Sequence, residues 1–148
     1  MKPKLIISIF ILFLLLSCSG QEEINVLFEN GKTVEYTMKR LDTFHKHKCK
    51  TKKLTDVKTQ VTFKICNEYF VSDKATGIIS IANKGFQKSN PISLKDFLEN
   101  YSHLRGAIKE NKVFFYEKSD SNTYQRYSVK WSKDFRHYEP SQGKFEKF

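Results

Sequence analysis

Two histidines and a cysteine alternate along a basic segment, where they could ligate a metal ion. In an extended segment His45, His47 and Cys49 would project from one face, because successive side chains of a strand point to opposite sides. Zinc and copper accept two imidazoles and a thiolate, and Cys66 is available as a fourth ligand. Against a metal site, neighbouring lysines repel cations, and the spacing matches no common zinc-finger pattern. The sequence therefore predicts no metal and no cofactor, and leaves His45 and His47 as weak candidates for a metal site.

The same segment carries the densest positive charge of the chain, on Lys46, Lys48, Lys50, Lys52 and Lys53. The 148-residue chain has a formal net charge of +10. Such an excess bears on solubility and association with polyanions rather than on fold. Two interpretations stay open: a basic patch that binds an anionic partner, or lysines spread over a solvated surface by composition alone.

Common catalytic signatures are absent from the sequence. It contains no Gly-x-Ser-x-Gly, no His-Glu-x-x-His, no glycine-rich phosphate loop and no Cys-x-x-Cys. His103 and His137 have acidic or polar neighbours in sequence, but neighbours in sequence do not make a catalytic pair without a fold. No catalytic residue is predicted, and a site assembled only in three dimensions stays open.

The start of the chain reads as a secretory signal. Lys2 and Lys4 precede an apolar run over residues 5–16, which at 12 residues is shorter than the ~20 that span a bilayer as a helix. The run closes on Leu15-Leu16-Ser17-Cys18, which resembles the lipobox of bacterial lipoproteins. In that family the cysteine, here Cys18, carries acyl chains such as palmitate and becomes the first residue of the mature protein. A plain secretory signal with an incidental Cys18 is the alternative.

The resemblance implies a signal peptide at 1–17, an acylated anchor and polar linker at 18–23, and one domain at 24–148. Removing 17 residues from 148 leaves 131, and losing two lysines lowers the charge from +10 to +8. In this family Ser19 after the cysteine implies export to the outer membrane, and Gln21-Glu22-Glu23 is similar to acidic tags of surface-exposed lipoproteins. The expected partners are the membrane, through the anchor, and an anionic glycan, lipid headgroup or protein, with no nucleic acid.

An envelope location also bears on the two remaining cysteines. Oxidising compartments favour disulfides, and with Cys18 acylated, Cys49 and Cys66 form an even pair. In the alternating run from Val57 to Cys66 the apolar residues fall on odd numbers, so Cys66 would lie on the polar face. A free thiol there would be open to oxidation. We therefore predict a Cys49–Cys66 disulfide, which excludes these sulfurs as metal ligands.

Hydrophobic periodicity predicts mostly strands. Residues 24–28 and 34–38 alternate on either side of Asn30-Gly31, which is a strong hairpin signal. Residues 57–66, 69–71 and 78–81 read as the three strands of a meander. The basic stretch 39–56 is ambiguous; Leu41 and Phe44 are expected to dock on the core while the rest stays at the surface.

One helix interrupts the strands. Ser93 and Asp96 read as a capping box, apolar residues from Leu94 to Leu104 follow at helical spacing, and Gly106 is a stop signal. Further strands are expected at 113–116, 124–131 and 135–138. The predicted fold class is α+β, a single antiparallel sheet of about six strands with one helix packed on one face.

The last long strand would present Tyr124, Arg126 and Lys130 on a wet face, where tyrosine beside cations could bind sugars or a protein. Together with the five lysines these residues make the candidate binding face, and scattered surface aromatics are the alternative. The sequence predicts a lipid-anchored envelope binding module. The competing hypothesis is a small envelope hydrolase or metal-handling protein.

Overall fold

Strands dominate the fold. The computed structural model describes residues 22–55, 60–74, 77–101, 112–132, 136–139 and 144–147. The strands are β1 (Glu23–Leu27), β2 (Thr33–Arg40), β3 (Thr43–Thr55), β4 (Gln60–Ile65), β5 (Glu68–Asp73), β6 (Ile78–Ala82), β7 (Lys112–Lys118), β8 (Thr123–Ser132), β9 (Arg136–Glu139) and β10 (Lys144–Lys147). Two short helices, α1 (Asn83–Lys88) and α2 (Leu94–Tyr101), lie between β6 and β7.

Eight strands form one mixed sheet in the order β1-β7-β8-β5-β4-β3-β2, with β6 also paired to β8. β1 and β7 are parallel, from Glu23 opposite Lys112, and the other pairs of this sheet are antiparallel. β5 and β6 behave as one bent strand, because both pair with β8, β5 near its end and β6 near its start. β9 and β10 pair antiparallel in a separate two-stranded sheet.

Aromatic packing shows that the sheet is curled into a half-barrel. Phe28 directly follows β1, and its ring centroid is 4.8 Å from that of Phe63 on β4. β4 is four places from β1 in the sheet order, so strands spaced about 4.8 Å apart would put the two residues roughly 19 Å apart in a flat sheet. Phe115 also contacts Phe63, at 5.2 Å. The concave face is thus filled by side chains from distant strands.

A buried threonine fixes this curl. Thr51 on β3 is 1% exposed, and its hydroxyl donates to the carbonyl of Glu29 at 2.6 Å and accepts from the amide of Lys32 at 3.0 Å. The backbone adds Gly31 N–H to Thr51 O at 3.1 Å and Thr51 N–H to Lys32 O at 2.9 Å. The turn between β1 and β2 is therefore attached to the middle of β3.

Helix α2 fills the gap between the terminal strands β1 and β2. The segment before it bonds to β1, through Leu27 N–H to Ile92 O and Ile92 N–H to Asn25 O, both 2.9 Å. On the other side the Glu99 carboxylate accepts the Thr37 amide of β2 at 2.8 Å. The apolar side chains of the helix, Leu94, Phe97 and Leu98, are buried in the core. An amphipathic helix thus covers the open side of the half-barrel.

Strand direction places two features at one end of the half-barrel. Because β1 runs parallel to β7 and every later neighbour in the sheet order is antiparallel, β1 and β2 run in opposite senses. The start of β1 at Glu23 and the end of β2 at Arg40 therefore lie at the same end, which we call the N-terminal end. The turn held by Thr51 lies at the opposite ends of both strands.

The predicted fold class is wrong in strand number, strand direction and helix content. The sheet has eight strands rather than about six, it is mixed rather than antiparallel, and two short helices are present in the described residues. One cause is the ambiguous stretch 39–56, most of which forms β3 although its side chains do not alternate between polar and apolar. Another is α1, whose single large apolar residue, Phe86, gives no helical periodicity.

The expected hairpin at Asn30-Gly31 is also wrong, although the chain does turn there. Gly31 has φ of +72°, but Asn30 does not have the positive φ that a type I′ hairpin turn also requires, and β1 pairs with β7 and β2 with β3. The turn signal fixes local backbone conformation, whereas strand pairing is decided by the Thr51 contacts and the curl. The strands expected from alternation at 69–71, 78–81, 113–116 and 124–131 are present. Of the strand expected at 57–66, residues 60–65 form β4, Cys66 lies in the turn that follows, and 57–59 lie outside the described residues.

The capping box at the start of α2 is present in an altered form. Asp96 N–H donates to Ser93 Oγ at 3.1 Å, and the Ser93 hydroxyl donates to the Asp96 carboxylate at 2.6 Å. The shorter acid thus bonds the capping side chain itself. The expected continuation to Leu104 and the stop at Gly106 lie outside the described residues.

Gly77 is required where β5 bends into β6. Its amide donates to Asp73 O at 2.8 Å, and a Cβ there would overlap Ser72 Oγ and lie 2.5 Å from Asp73 O. Gly77→Ala should therefore lower the free energy of unfolding by about 1–3 kcal/mol, measured by urea denaturation. Ser80→Ala, on the exposed side of β6, is the control and should leave it unchanged. Equal stability of the two variants would contradict this account.

Candidate functional site

A two-stranded hairpin projects beyond the main sheet at the N-terminal end. β2 pairs with residues 43–50 of β3, whereas β4 pairs with β3 from Thr51 onward. At about 3.3 Å per residue, the eight residues of β2 give the hairpin a length of roughly 26 Å. We call residues 33–50 the basic hairpin. Its distal half is solvated on both faces, with residues 39–48 all exposed.

The tip of the basic hairpin is apolar. Leu41 and Asp42 form its two-residue turn, and Leu41 is 91% exposed with φ of 54°. The backbone of a residue such as leucine is strained in this left-handed region, and asparagine or glycine would suit the position better. Phe44 is 71% exposed. Both residues were expected to dock on the core; instead they form an exposed apolar tip. Each is costly in water, so the tip is not optimised for the stability of the isolated chain.

Cations flank this tip on the face that carries Phe44. Cross-strand register places Lys39 opposite Phe44, Thr37 opposite Lys46 and Glu35 opposite Lys48. Lys48 Nζ donates to Glu35 Oε1 at 3.0 Å, and this bond lowers the pKa of Glu35. On this face four cationic side chains, Lys39, Lys46, Lys48 and Lys50, accompany one carboxylate, Glu35. The face is therefore strongly positive.

The five lysines of the sequence cluster separate into two groups. Lys46, Lys48 and Lys50 belong to the basic hairpin, while Lys52 and Lys53 lie past it on the main sheet. Lys53 turns into the concave side, where it pairs with Glu117 of β7. Its role in the structure is thus internal, and it does not join the hairpin surface.

A disulfide holds the base of the basic hairpin to the main sheet. Cys49 bonds to Cys66 of the β4–β5 turn, with 5.0 Å between Cα atoms, so the predicted crosslink is present. Next to it, the half-buried Tyr36 has its hydroxyl 3.7 Å from Cys66 Sγ, to which it can donate. Burial raises the pKa of Tyr36. The base is packed and crosslinked while the tip is exposed.

The two candidate metal-binding histidines have other contacts. The His47 ring stacks on Tyr36 with 5.3 Å between centroids, and His45 Nε2 lies 3.0 Å from the Thr43 hydroxyl. Cys49 and Cys66 are consumed by the disulfide. In the part of the chain that the structure describes, no three histidine, cysteine or acidic side chains converge as a metal site would require.

An open depression of about 410 Å³ lies on the side of the basic hairpin that faces helix α2. Its cationic lining comes from Lys46 and Lys48 of β3 and from Lys95 of α2, and its acid is Glu35, already paired with Lys48. Positive groups from two elements thus converge on one shallow surface. Such a surface suits an anionic group on a larger partner better than an enclosed substrate.

The β8 residues of the candidate binding face do not form the solvent-exposed aromatic surface that the sequence predicts. Tyr124 stacks on Phe86 of α1 with 3.8 Å between ring centroids. The Arg126 guanidinium lies 3.5 Å from the Phe114 ring centroid and within 3.5 Å of Glu23 Oε2. Lys130 is exposed further along β8. Tyr124 and Arg126 therefore form a small packed cluster on the convex face, separate from the basic hairpin.

The concave side is filled. Phe63 contacts Tyr127 at 4.9 Å between ring centroids, and the Tyr127 hydroxyl lies within hydrogen-bond distance of two acceptors, Glu117 Oε2 at 3.2 Å and Gln125 Oε1 at 2.5 Å. Burial and the charge of Glu117 raise the pKa of Tyr127. Lys53 pairs with the same carboxylate, so this polar group is internally satisfied. The polar groups on this side are thus paired within the packed interior.

Comparisons with protein families, curated proteins and solved structures found no match to this chain. Neither helix of the described residues is long and apolar enough to cross a membrane. Cys18 and His103 lie outside the described residues. The features that sequence reasoning missed are the exposed Leu41 and Phe44. The charged residues on either side of Leu41, Arg40 and Asp42, were the signal that could have placed this segment in solvent.

The disulfide makes the base of the hairpin testable. Its cysteines are 17 residues apart, and closing a loop of that size contributes about 3 kcal/mol to the free energy of unfolding. Reduction should lower stability by roughly that amount, measured by urea denaturation with and without dithiothreitol. The double variant Cys49→Ser, Cys66→Ser is the control, because reductant should leave it unaffected. Unchanged stability of the wild-type chain on reduction would contradict the prediction.

Proposed function

We propose that this chain is a lipid-anchored envelope protein, attached through Cys18, whose basic hairpin binds an anionic partner. The basic hairpin carries the proposal, because it is a crosslinked projection that places exposed cations and apolar side chains beyond the packed core. Its lysines share one face with Phe44, and Lys95 of α2 adds to the positive surface. A filled interior supports binding rather than catalysis.

The anchor part of the proposal rests on the resemblance of Leu15-Leu16-Ser17-Cys18 to a lipobox. Acylation would hold the domain at the outer membrane, since each buried CH₂ contributes about 0.8 kcal/mol and two or three chains make attachment firm. The partner classes that fit the hairpin are anionic glycans, lipid headgroups and acidic proteins of the envelope, because exposed lysines bind anions through charge.

Acylation can be tested directly in a bacterial host. Cells fed a radioactive fatty acid should label the wild-type protein and place it in the membrane fraction. Cys18→Ala should abolish the label, because the thiol is the acyl acceptor. Cys49→Ser is the matched control and should stay labelled. An unlabelled wild-type protein recovered with its leader intact would contradict the proposed anchor.

Anion binding can be tested with mature lipidated protein in non-ionic detergent, applied to a heparin resin. The triple variant Lys46→Glu, Lys48→Glu, Lys50→Glu removes the hairpin cations. If each exposed charge contributes about 0.5–1 kcal/mol, affinity should fall by about tenfold to a hundredfold and elution should need less salt.

The control for this experiment has the same net charge. Lys84→Glu, Lys88→Glu, Lys118→Glu reverses three exposed lysines on α1 and β7, away from the basic hairpin. It should elute close to the wild-type protein. Equal loss of retention in both triple variants would mean that overall charge, rather than the hairpin, binds the polyanion, and would contradict the proposal.

A further inference from the structure

We propose that the partner of the basic hairpin is the anionic surface of the membrane that holds the anchor, with Leu41 and Phe44 inserted at the lipid interface. This inference rests on the proposed function and names the class of its partner. It assigns two roles within one element: the cations bind headgroups, and the apolar tip enters the boundary between headgroups and acyl chains.

The tip of the basic hairpin has the composition and shape of a membrane-inserting element. Leu41 is 91% and Phe44 71% exposed, and both belong to the distal end of a two-stranded projection. Lys39, Arg40 and Lys46 flank them. Apolar residues lie at the end of the projection and cations lie behind them. A membrane interface has the same order, with the acyl chains below the charged headgroups. Leu41 places a large apolar side chain at the outermost turn although its backbone is strained there.

The position of β1 in the sheet bears on where the anchor would lie. Glu22 precedes β1 at the N-terminal end. It lies four positions after Cys18 in the sequence, which corresponds to a chain length of at most about 15 Å. An acylated Cys18 would therefore hold this end of the half-barrel close to the lipid. The hairpin tip lies at the same end, because β1 and β2 leave the turn at residues 29–32 in the same direction.

Strand lengths show that the tip can reach the surface. Measured from that turn, β1 spans five residues and β2 eight, or about 17 and 26 Å at 3.3 Å per residue. The tip thus extends at least as far toward the N-terminal end as Glu23 does. A domain held there by a short linker brings Leu41 and Phe44 to the same surface as its own anchor.

The small contact area of the tip favours a membrane over a protein partner. A stable protein interface usually buries about 800 Å² on each side, which needs a broad complementary surface. The end of a two-stranded hairpin is narrow and convex, and it offers two large apolar residues. A lipid surface deforms around such a point, and its negative charge complements the flanking cations. These observations favour lipid.

The test uses the mature lipidated protein reconstituted in vesicles of equimolar phosphatidylcholine and phosphatidylglycerol. Phe44→Trp places a reporter at the exposed tip, and subtracting the wild-type spectrum removes the emission of Trp131. We expect the added emission to shift to shorter wavelength and to be quenched by brominated acyl chains. In phosphatidylcholine alone both effects should be smaller, because the lysines lose their anionic partners.

Ile79→Trp is the matched control. Ile79 is a large apolar side chain, 55% exposed, on β6 away from the hairpin. Its replacement should show neither the shift nor the quenching, although the same acyl anchor holds it near the vesicle. If the two reporters behave alike, anchoring alone explains the signal and the inference is overturned.

A second variant separates insertion from folding. Leu41→Asn, combined with Phe44→Trp, relieves the positive-φ strain, so its thermal midpoint should be unchanged or higher. Its quenching by brominated chains should nevertheless decrease, because half of the apolar tip is gone. Full quenching in this double variant would overturn the role assigned to Leu41.

The outcomes also distinguish this inference from the proposed function. Loss of heparin retention in the hairpin triple variant, together with an unquenched Phe44→Trp in anionic vesicles, would keep the binding function and overturn the membrane as partner. The hairpin would then be assigned to a glycan or an acidic protein. Unaltered heparin retention together with full quenching would overturn the polyanion proposal and keep tip insertion.

Discussion

The attachment of one turn to the middle of one strand determines the shape of this protein. Thr51 is buried, bonds to both Glu29 and Lys32, and joins the β1–β2 turn to β3. With these bonds, the sheet curls, Phe28 reaches Phe63 across the concave side, and β3 is divided at Thr51 into a part that belongs to the main sheet and a part that leaves it.

That division separates the packed core from the hairpin that we propose binds a partner. Residues that hold the fold together, such as Phe63, Phe115 and Phe97, are buried on the concave side. Residues 39–48 of the basic hairpin are exposed and contribute little to the core. The disulfide at Cys49 and Cys66 marks the border between the two regions. Substitutions beyond this border can change the surface of the hairpin while the packed interior stays as it is.

Local patterns in the sequence predicted local structure well and pairing poorly. Alternation found the strand around Val61 and Phe63, and helical spacing found Leu94 to Tyr101, because side-chain burial repeats with the period of the element. The parallel pairing of β1 with β7 left no such trace, since it depends on contacts far apart in the chain. β3 was missed because a hairpin solvated on both faces has no apolar period.

The candidate site was partly visible in the sequence. The lysine cluster and the disulfide follow from residue types and spacing, whereas the exposure of Leu41 and Phe44 depends on how far β3 extends past β4. Tyr124 and Arg126 alternate as residues of a wet face do, but Phe86 and Phe114 stack on them. Exposure on a sheet face is decided by what packs on it, and a single strand does not carry that information.

The parallel pair has a consequence for how the chain acquires its shape. Glu23 is the first residue of β1 and pairs with Lys112, so the partner of the first strand is synthesised nearly ninety residues later. Contacts of such wide separation slow folding. Until β7 has been synthesised, in the last quarter of the polypeptide, β1 lacks the strand with which it pairs and the sheet of the nascent chain is incomplete.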